Sequence, residues 1–359
     1  MPPSETPLVY IARPTIRLDG EDHERLSSLI TSLVMNEQEG GLSSAEIRLS
    51  NSASLRDGSA EYAFDAGGEL SLGKELVVGA GDSSSPIEIF KGRISGLEGV
   101  FSEDAPPELI VLAEDALQLL RLKRRSRTFE DQSLADIART IANDHGLTPQ
   151  IDGLNDNFGP QVQLNETDLG FLRRLLARVD ADIQIVGTAL QISPRADVRR
   201  GALVLTLGQE LKSARVLSDL AHQITEATVK GWDVAAGAAL EATGRDNALG
   251  PGTGQRGGNA LEETLGGRTH HSCHLLSFNQ QEADAIATTV RNRRGRRFLR
   301  IQGVTTGTPA LRVGTHVQVN RLGAWFSNTY YITAVRHCYD LTEGYRTEFE
   351  GQCAFLGEG

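Results

Sequence analysis

Apolar positions along the chain follow two rhythms, and the switch between them marks the elements. Leu134, Ile137, Ala138 and Ile141 recur at the i, i+3, i+4, i+7 spacing that lines one face of a helix. Ser133 stands where a cap belongs, Asp136 lies in the first turn, and Gly146 holds the position of a left-handed terminator. A second helix opens at Thr167–Asp168 and carries Leu169, Leu172, Leu175, Leu176 and Val179 on one side. Arg173, Arg174 and Arg178 fall among its polar positions. The period then shortens to two. Ile183 and Ile185 alternate with polar neighbours, Gly187–Thr188 allows a turn, and Leu190 and Ile192 alternate again, so the pattern predicts a β-hairpin.

Before this stretch the rhythm is that of strands. Ile16 and Leu18 begin it, Ile47 and Leu49 alternate, and short apolar runs follow at 76–78, 87–90, 93–97 and 109–112. Glycine and serine clusters such as GAGDSSSP at 79–86 separate them, which suggests a barrel or sandwich and not parallel βαβ units. Residues 114–120 turn helical. Downstream, Leu203, Leu205 and Leu207 alternate, and 214–233 reads as one or two further strands. Residues 244–268 are glycine-rich without periodicity and are expected to be mobile or folded over a neighbour. Ala283, Ile286, Ala287 and Val290 share a face of a helix over 280–294, and 301–355 returns to strands. A chain of 359 residues exceeds what one core usually supports. The expected fold is α+β, mainly β, in three regions: 1–120, 121–200 and 201–359.

Particular residues sharpen this reading. Asp131-Gln132-Ser133, Asp136-Ile137-Ala138, Ile141-Ala142 and Gly146-Leu147 precede Gln163-Leu164-Asn165-Glu166-Thr167-Asp168 and Phe171-Leu172-Arg173-Arg174-Leu175. Further blocks are Phe90-Lys91-Gly92-Arg93-Ile94, Val229-Lys230-Gly231-Trp232-Asp233 and Leu311-Arg312-Val313-Gly314-Thr315. Leu322-Gly323, Tyr330-Tyr331-Ile332-Thr333, His337 and Gly344-Tyr345-Arg346-Thr347 complete the set. In order and spacing, from about residue 85 to the end, these blocks resemble the late control gene D family. That family is the baseplate hub of contractile phage tails, and it is similar to the amino-terminal part of type VI secretion VgrG proteins. One departure is Asp180, where relatives usually place glycine before the first hairpin strand; no function is read into it.

The resemblance implies two similar tube-type β-barrels per chain, with the helical and hairpin region between them. Three copies would form a pseudo-sixfold ring, a symmetry adaptor between the hexameric inner tube and a trimeric spike. The implied partners are two further copies, the spike protein, the inner tube protein, baseplate wedge proteins, and tape-measure or cargo proteins. The chain stops soon after the second barrel without a β-helical repeat, so the spike is expected to be a separate protein. Asp131, Asp136, Asn165, Glu166, Thr167, Asp168, Phe171, Leu172, Gly231, Trp232, Gly314, Tyr331 and His337 are the motif positions expected to serve structure and assembly.

Composition narrows the alternatives. Hydrophobic content of 39% with 23% charged residues fits an ordinary globular chain. A net charge of −11 argues against nucleic acid as the main partner. The basic clusters Arg121–Arg127 and Arg291–Arg300 are expected to be solvated helix ends or charged subunit contacts. Three cysteines without repeated spacing suit a reducing compartment, and no signal peptide or apolar run of ~20 residues is present. The expectation is cytoplasmic assembly into a phage-tail-like or injection-system baseplate, without membrane insertion.

Catalytic chemistry has no foothold in the pattern. Gly252-Thr253-Gly254-Gln255-Arg256-Gly257 matches G-x-G-x-x-G but lies in a glycine-rich loop outside any βαβ unit. His270, His271, Cys273 and His274 are candidate metal ligands, too cramped within five consecutive residues to converge on one ion. Neither G-x-S-x-G nor H-E-x-x-H occurs, and no pair of acids is marked for glycoside hydrolysis. No enzyme, cofactor or metal site is expected. Asn165, Thr167 and Asp168 are expected to cap the second helix, ahead of an anion-binding role for its amino end. Two other functional classes are a peptidoglycan-binding, LysM-like role for the segment around Ser133–Leu147, and nucleic-acid binding through the arginine clusters.

Overall fold

The structure, a computed structural model, describes residues 13–54, 60–65, 69–82, 84–233, 236–272, 277 and 279–358. The amino-terminal unit is built on β1 (Thr15–Leu18), β2 (Ile30–Gln38), β3 (Ser44–Ser50), β4 (Glu75–Ala80), β5 (Ile87–Val100) and β6 (Glu108–Glu114). Alternation forces a two-faced sheet: Ala45, Ile47 and Leu49 of β3 are buried while their neighbours are half-exposed. Every pairing between these six strands is antiparallel, in the spatial order β1-β4-β5-β6-β3-β2.

The middle unit follows with β7 (Arg124–Phe129), α1 (Leu134–Asp144), β8 (Thr148–Ile151), β9 (Gln161–Thr167), α2 (Asp168–Leu176), β10 (Ala181–Val186) and β11 (Ala189–Pro194). Both helices form where the periodicity placed them, and the hairpin turns at Gly187, whose φ is 62°. Ile137, Ile141, Phe171, Leu172, Ile183 and Leu190 join one core.

The carboxy-terminal unit comprises β12 (Gly201–Thr206), β13 (Leu211–Ser218), β14 (Glu226–Asp233), β15 (Ala238–Thr243), α3 (Gly257–Leu265), β16 (Thr269–Ser272), α4 (Gln280–Arg296), β17 (Leu299–Thr306), β18 (Thr315–Asn320), β19 (Thr329–Asp340) and β20 (Gly344–Cys353). Its principal strands lie in the order β12-β18-β19-β20-β17-β13. Counted along the chain within each unit, both orders read first-fourth-fifth-sixth-third-second. The topology therefore occurs twice. One pairing breaks the repeat: β1 runs antiparallel to β4, whereas β12 runs parallel to β18.

The two sheets are one continuous sheet, because β2 pairs antiparallel with β19 from Gln38↔Ala334 to Ser32↔Asp340. Tyr339 and Tyr345 accordingly pack into the first core. This corrects the expectation of two closed barrels: among the described residues no pairing closes either set of strands. The physical reason lies in the end strands, since β1 is only four residues long and the outer edge of β2 is taken by β19.

The glycine-rich segment also departs from expectation. Gln255–Arg256 pair with Phe355–Leu356, and α3 follows at once. Gly252 and Gly254 have φ of 110° and 121°, and a Cβ on Gly254 would lie 2.0 Å from the carbonyl oxygen of Leu356. These glycines permit close backbone approach. The predicted helix over 280–294 extends to Arg296 and covers β14 and β15 through Ala283, Ile286 and Ala287.

Candidate assembly site

The motif before α2 gathers charge from four elements onto one buried carboxylate. Asp168, 1% exposed, accepts from Arg127 Nη2 at 2.9 Å and Gln163 Nε2 at 2.9 Å on one oxygen. His145 Nε2 at 2.8 Å and Arg125 Nε at 3.4 Å meet the other. Burial pushes its pKa up, but the bonds from His145 and Gln163 and the charges of Arg127 and Arg125 outweigh this and hold it below the usual carboxylate range. The capping expectation is right for Thr167, whose Oγ1 accepts from the Gly170 amide. Asp168 instead pins β7, β9 and the end of α1 to the start of α2. Asn165 is a left-handed residue at φ 50°, and Glu166 pairs with Arg174 at 2.8 Å.

The remaining motif positions divide by environment. Ser133 and Asp136 form the reciprocal capping box, and Asp131 sits exposed in the preceding turn at φ 51°. Phe171 stacks on Phe129 with centroids 5.5 Å apart, and Leu172 is buried beside it. Gly231 leaves room for Ser277, while Trp232 is 59% exposed. Gly314 has φ 85° and a Cβ there would lie 2.8 Å from Val198, so the turn needs glycine. Tyr331 is buried beneath the Arg195 guanidinium, 3.7 Å from the ring centroid. His337 is fully buried, with Nδ1 2.7 Å from the Tyr345 hydroxyl, and burial next to Arg312 drives its pKa down to about 3.

Of the metal candidates, Cys273 and His274 lie outside the described residues. His271 Nδ1 is 2.5 Å from Thr228 Oγ1 and His270 Nδ1 is 3.4 Å from Arg294. Among the described residues no three metal-capable side chains converge. The arginine clusters are largely spent within the chain: Arg125 and Arg127 on Asp144 and Asp168, Arg291 on Asp246, Arg293 and Arg296 on Asp180.

Of the residues that tie the three units together, sequence reasoning marked Asp180 only as a departure from glycine and did not single out Glu37 or Asp182. Glu37, 1% exposed at the end of β2, meets Arg312 at 2.8 Å and Gln184 at 2.8 Å. A readable signal existed, because Glu37 continues the inward phase of Leu33 and Met35. Asp182 accepts from Arg200 at 2.7 Å and from the Gly40 amide at 3.1 Å. Asp180 clamps Arg296 at 2.6 and 2.7 Å; its φ of 54° is the conformation glycine supplies most cheaply.

Among the described residues, the unpaired sheet edges include β13 and half of β5. Within the same residues β13 pairs with β17 along one side, and beyond that makes a single bridge from Leu211 to Leu207. Among the described residues the Gly96–Val100 half of β5 pairs with β6 alone, since β4 ends its pairing at Arg93. Leu97 and Leu217 stand 39% and 44% exposed along these edges.

This architecture is the fold of phage tail proteins. The 43 kDa tail protein of prophage MuSo2 from Shewanella oneidensis superposes with a TM-score of 0.71 at 15% identity, over 94% of this chain and 97% of that one. A tail protein from Neisseria meningitidis MC58 gives 0.65 at 12% identity, over 95% and 96%. An Escherichia coli component of the type VI secretion system, described as structurally similar to T4 bacteriophage tail proteins gp27 and gp5, gives 0.60 at 13%, over 96% and 79%. The chain belongs to the family described as the Alg8 N-terminal domain, whose model matches residues 10–341. No curated protein matches it.

Proposed function

We propose that the chain is the structural, non-enzymatic hub of a contractile injection system or phage-tail-like particle. It acts as a homotrimer that adapts the sixfold inner tube to a threefold spike. The observation that carries this reading is the twofold occurrence of one strand order in a single chain. Three such chains offer six similar sheets to a hexameric partner while keeping threefold symmetry elsewhere.

The repeat also supplies the contact. Within the chain the second strand of one unit, β2, adds to the fifth strand of the other, β19. The equivalent pairing left over is β13 onto the free half of β5, and it can be made only with another copy. Unpaired edges of this kind are templates for strand addition, and a head-to-tail contact builds a ring when its rotation closes. Exposed Lys212 and Arg215 on β13 complement exposed Glu98 on β5. The spike, inner tube, wedge and tape-measure or cargo proteins are the partners this role requires.

The test uses Leu97→Asp and Leu217→Asp. Both side chains are substantially exposed in the single chain, so the fold tolerates the charge. Light scattering, with and without the spike protein, should find three copies of the unmodified chain together in at least one condition and folded single copies of either variant in both. Variants that assemble as the unmodified chain does would remove the edges from the account.

A further inference from the structure

A recess of about 250 Å³ lies where the three units meet, bounded by the end of β2, the end of α2, the start of β10 and the last turn of α4. Its walls carry five arginines, at positions 173, 195, 293, 296 and 297, against three acids, Glu39, Asp180 and Asp182. Each acid is already engaged: Glu39 by Arg195, Asp180 by Arg296 and Arg293, Asp182 by Arg200 from outside the recess. The walls therefore hold two positive charges in excess. The decisive group is Arg195, 5% exposed, whose Nη2 has no hydrogen-bond partner among the described residues. A buried guanidinium nitrogen left unmatched loses its hydration without replacement, which is unfavourable. The group that answers it must be an acceptor, and preferably an anion.

We infer that this recess binds a small doubly charged oxyanion, with inorganic phosphate as the chemical type. Arg195 forms the floor, held flat over Tyr331 with its Cζ 3.7 Å from the ring centroid. Arg293 and Arg297 stand at the mouth, Arg297 exposed to solvent. The carbonyl end of α4 subtracts little, since the Arg297 and Phe298 amides donate to Arg294 and Gly295 carbonyls. Asp180 orients Arg296 and Arg293, its Oδ1 accepting from both and its Oδ2 from Arg296. A bound dianion would then join side chains from the middle and carboxy-terminal units beside the end of β2.

The experiment titrates sodium phosphate into the full chain by calorimetry in a chloride-free buffer of low ionic strength. Saturable 1:1 binding is expected, with a submillimolar dissociation constant that weakens as salt rises. Arg297→Gln leaves the fold untouched and should weaken binding at least tenfold, and Arg293→Gln should act likewise. Arg195→Lys should abolish it; if that variant misfolds, the two mouth variants still decide. Absence of saturable heat with the unmodified chain would overturn the inference, as would unchanged affinity in both mouth variants. Acetate binding as tightly as phosphate would also overturn it, pointing instead to a carboxylate delivered by another chain.

Discussion

Asp168→Asn separates two physical roles for one motif residue. As a helix-start residue, Asp168 contributes through the macrodipole alone, about 0.5 kcal/mol at an exposed end. As the centre of a charge network it does far more. The buried carboxylate takes hydrogen bonds from Arg127, Gln163 and His145 at 2.8–2.9 Å, with Arg125 at 3.4 Å. Asparagine keeps one acceptor and turns an NH2 group toward donors. Charge-assisted bonds contribute about 1.5–3 kcal/mol each. Arg127 and Arg125 are 23% and 33% exposed, so solvent screens their share. A total loss of about 2–4 kcal/mol results after that discount. Hydrogen exchange of peptides over Leu134–Asp144 and Asp168–Leu176 reads local opening directly. Exchange should accelerate roughly 30- to 1000-fold in the variant, at about 1.4 kcal/mol per decade. Thr167→Ala, which removes only a cap worth about 1 kcal/mol, serves as the control. The carboxylate's pKa is depressed, so its contribution is present above the ordinary value of 3.8 and is lost as pH falls through the folded value. Variant and unmodified chain should therefore converge in acid. Asp168→Asn accelerating exchange no more than Thr167→Ala would refute the network.

Other outcomes follow from the same geometry. His337 has a folded pKa of about 3, so below pH 6.5 the unfolded chain binds a proton that the native chain refuses. His337's share of stability should fall by about 2 kcal/mol on acidifying from pH 7 to 5, and His337→Gln should remove that share in thermal unfolding across the same range, leaving the remaining groups to set the slope. Asp115 works in the opposite sense: burial raises its carboxyl to about 6, so its share of stability is present below 3.8 and lost as pH rises through 6. With His337 replaced, stability should therefore rise as the pH is lowered from 6.5 to 4. Glu37→Gln leaves Arg312 without its buried partner and should cost about 2–4 kcal/mol. In a double-mutant cycle with Arg312→Gln, read by denaturant unfolding, the paired loss should fall well short of the sum.

How much of this was legible in the sequence depends on how far apart the interacting residues lie. The α1 capping box, Gly146 at φ 67° and the hairpin turn at Gly187 are local, and their residue types announced them. The strand runs were legible as strands. Their partners were not, since β2 and β19 lie some 300 residues apart and nothing local links Met35 to His337. Asp168 reads as a cap because Thr167 beside it is one; Arg127 and His145 reach it only through the fold. Asp180 stood out only as a departure from glycine. Its left-handed backbone accounts for the glycine, and Arg296, 116 residues later, accounts for the acid. Residues 244–268 lacked periodicity because glycine there serves backbone contact with Leu356, which no spacing rule encodes.

Native mass measurement of the purified chain, with and without its spike partner, tests the hub assignment most directly. The account predicts three chains per particle in at least one of these conditions. It also predicts that Leu97→Asp releases folded single chains. A lone chain in both conditions, at concentrations where tail components assemble, would contradict it.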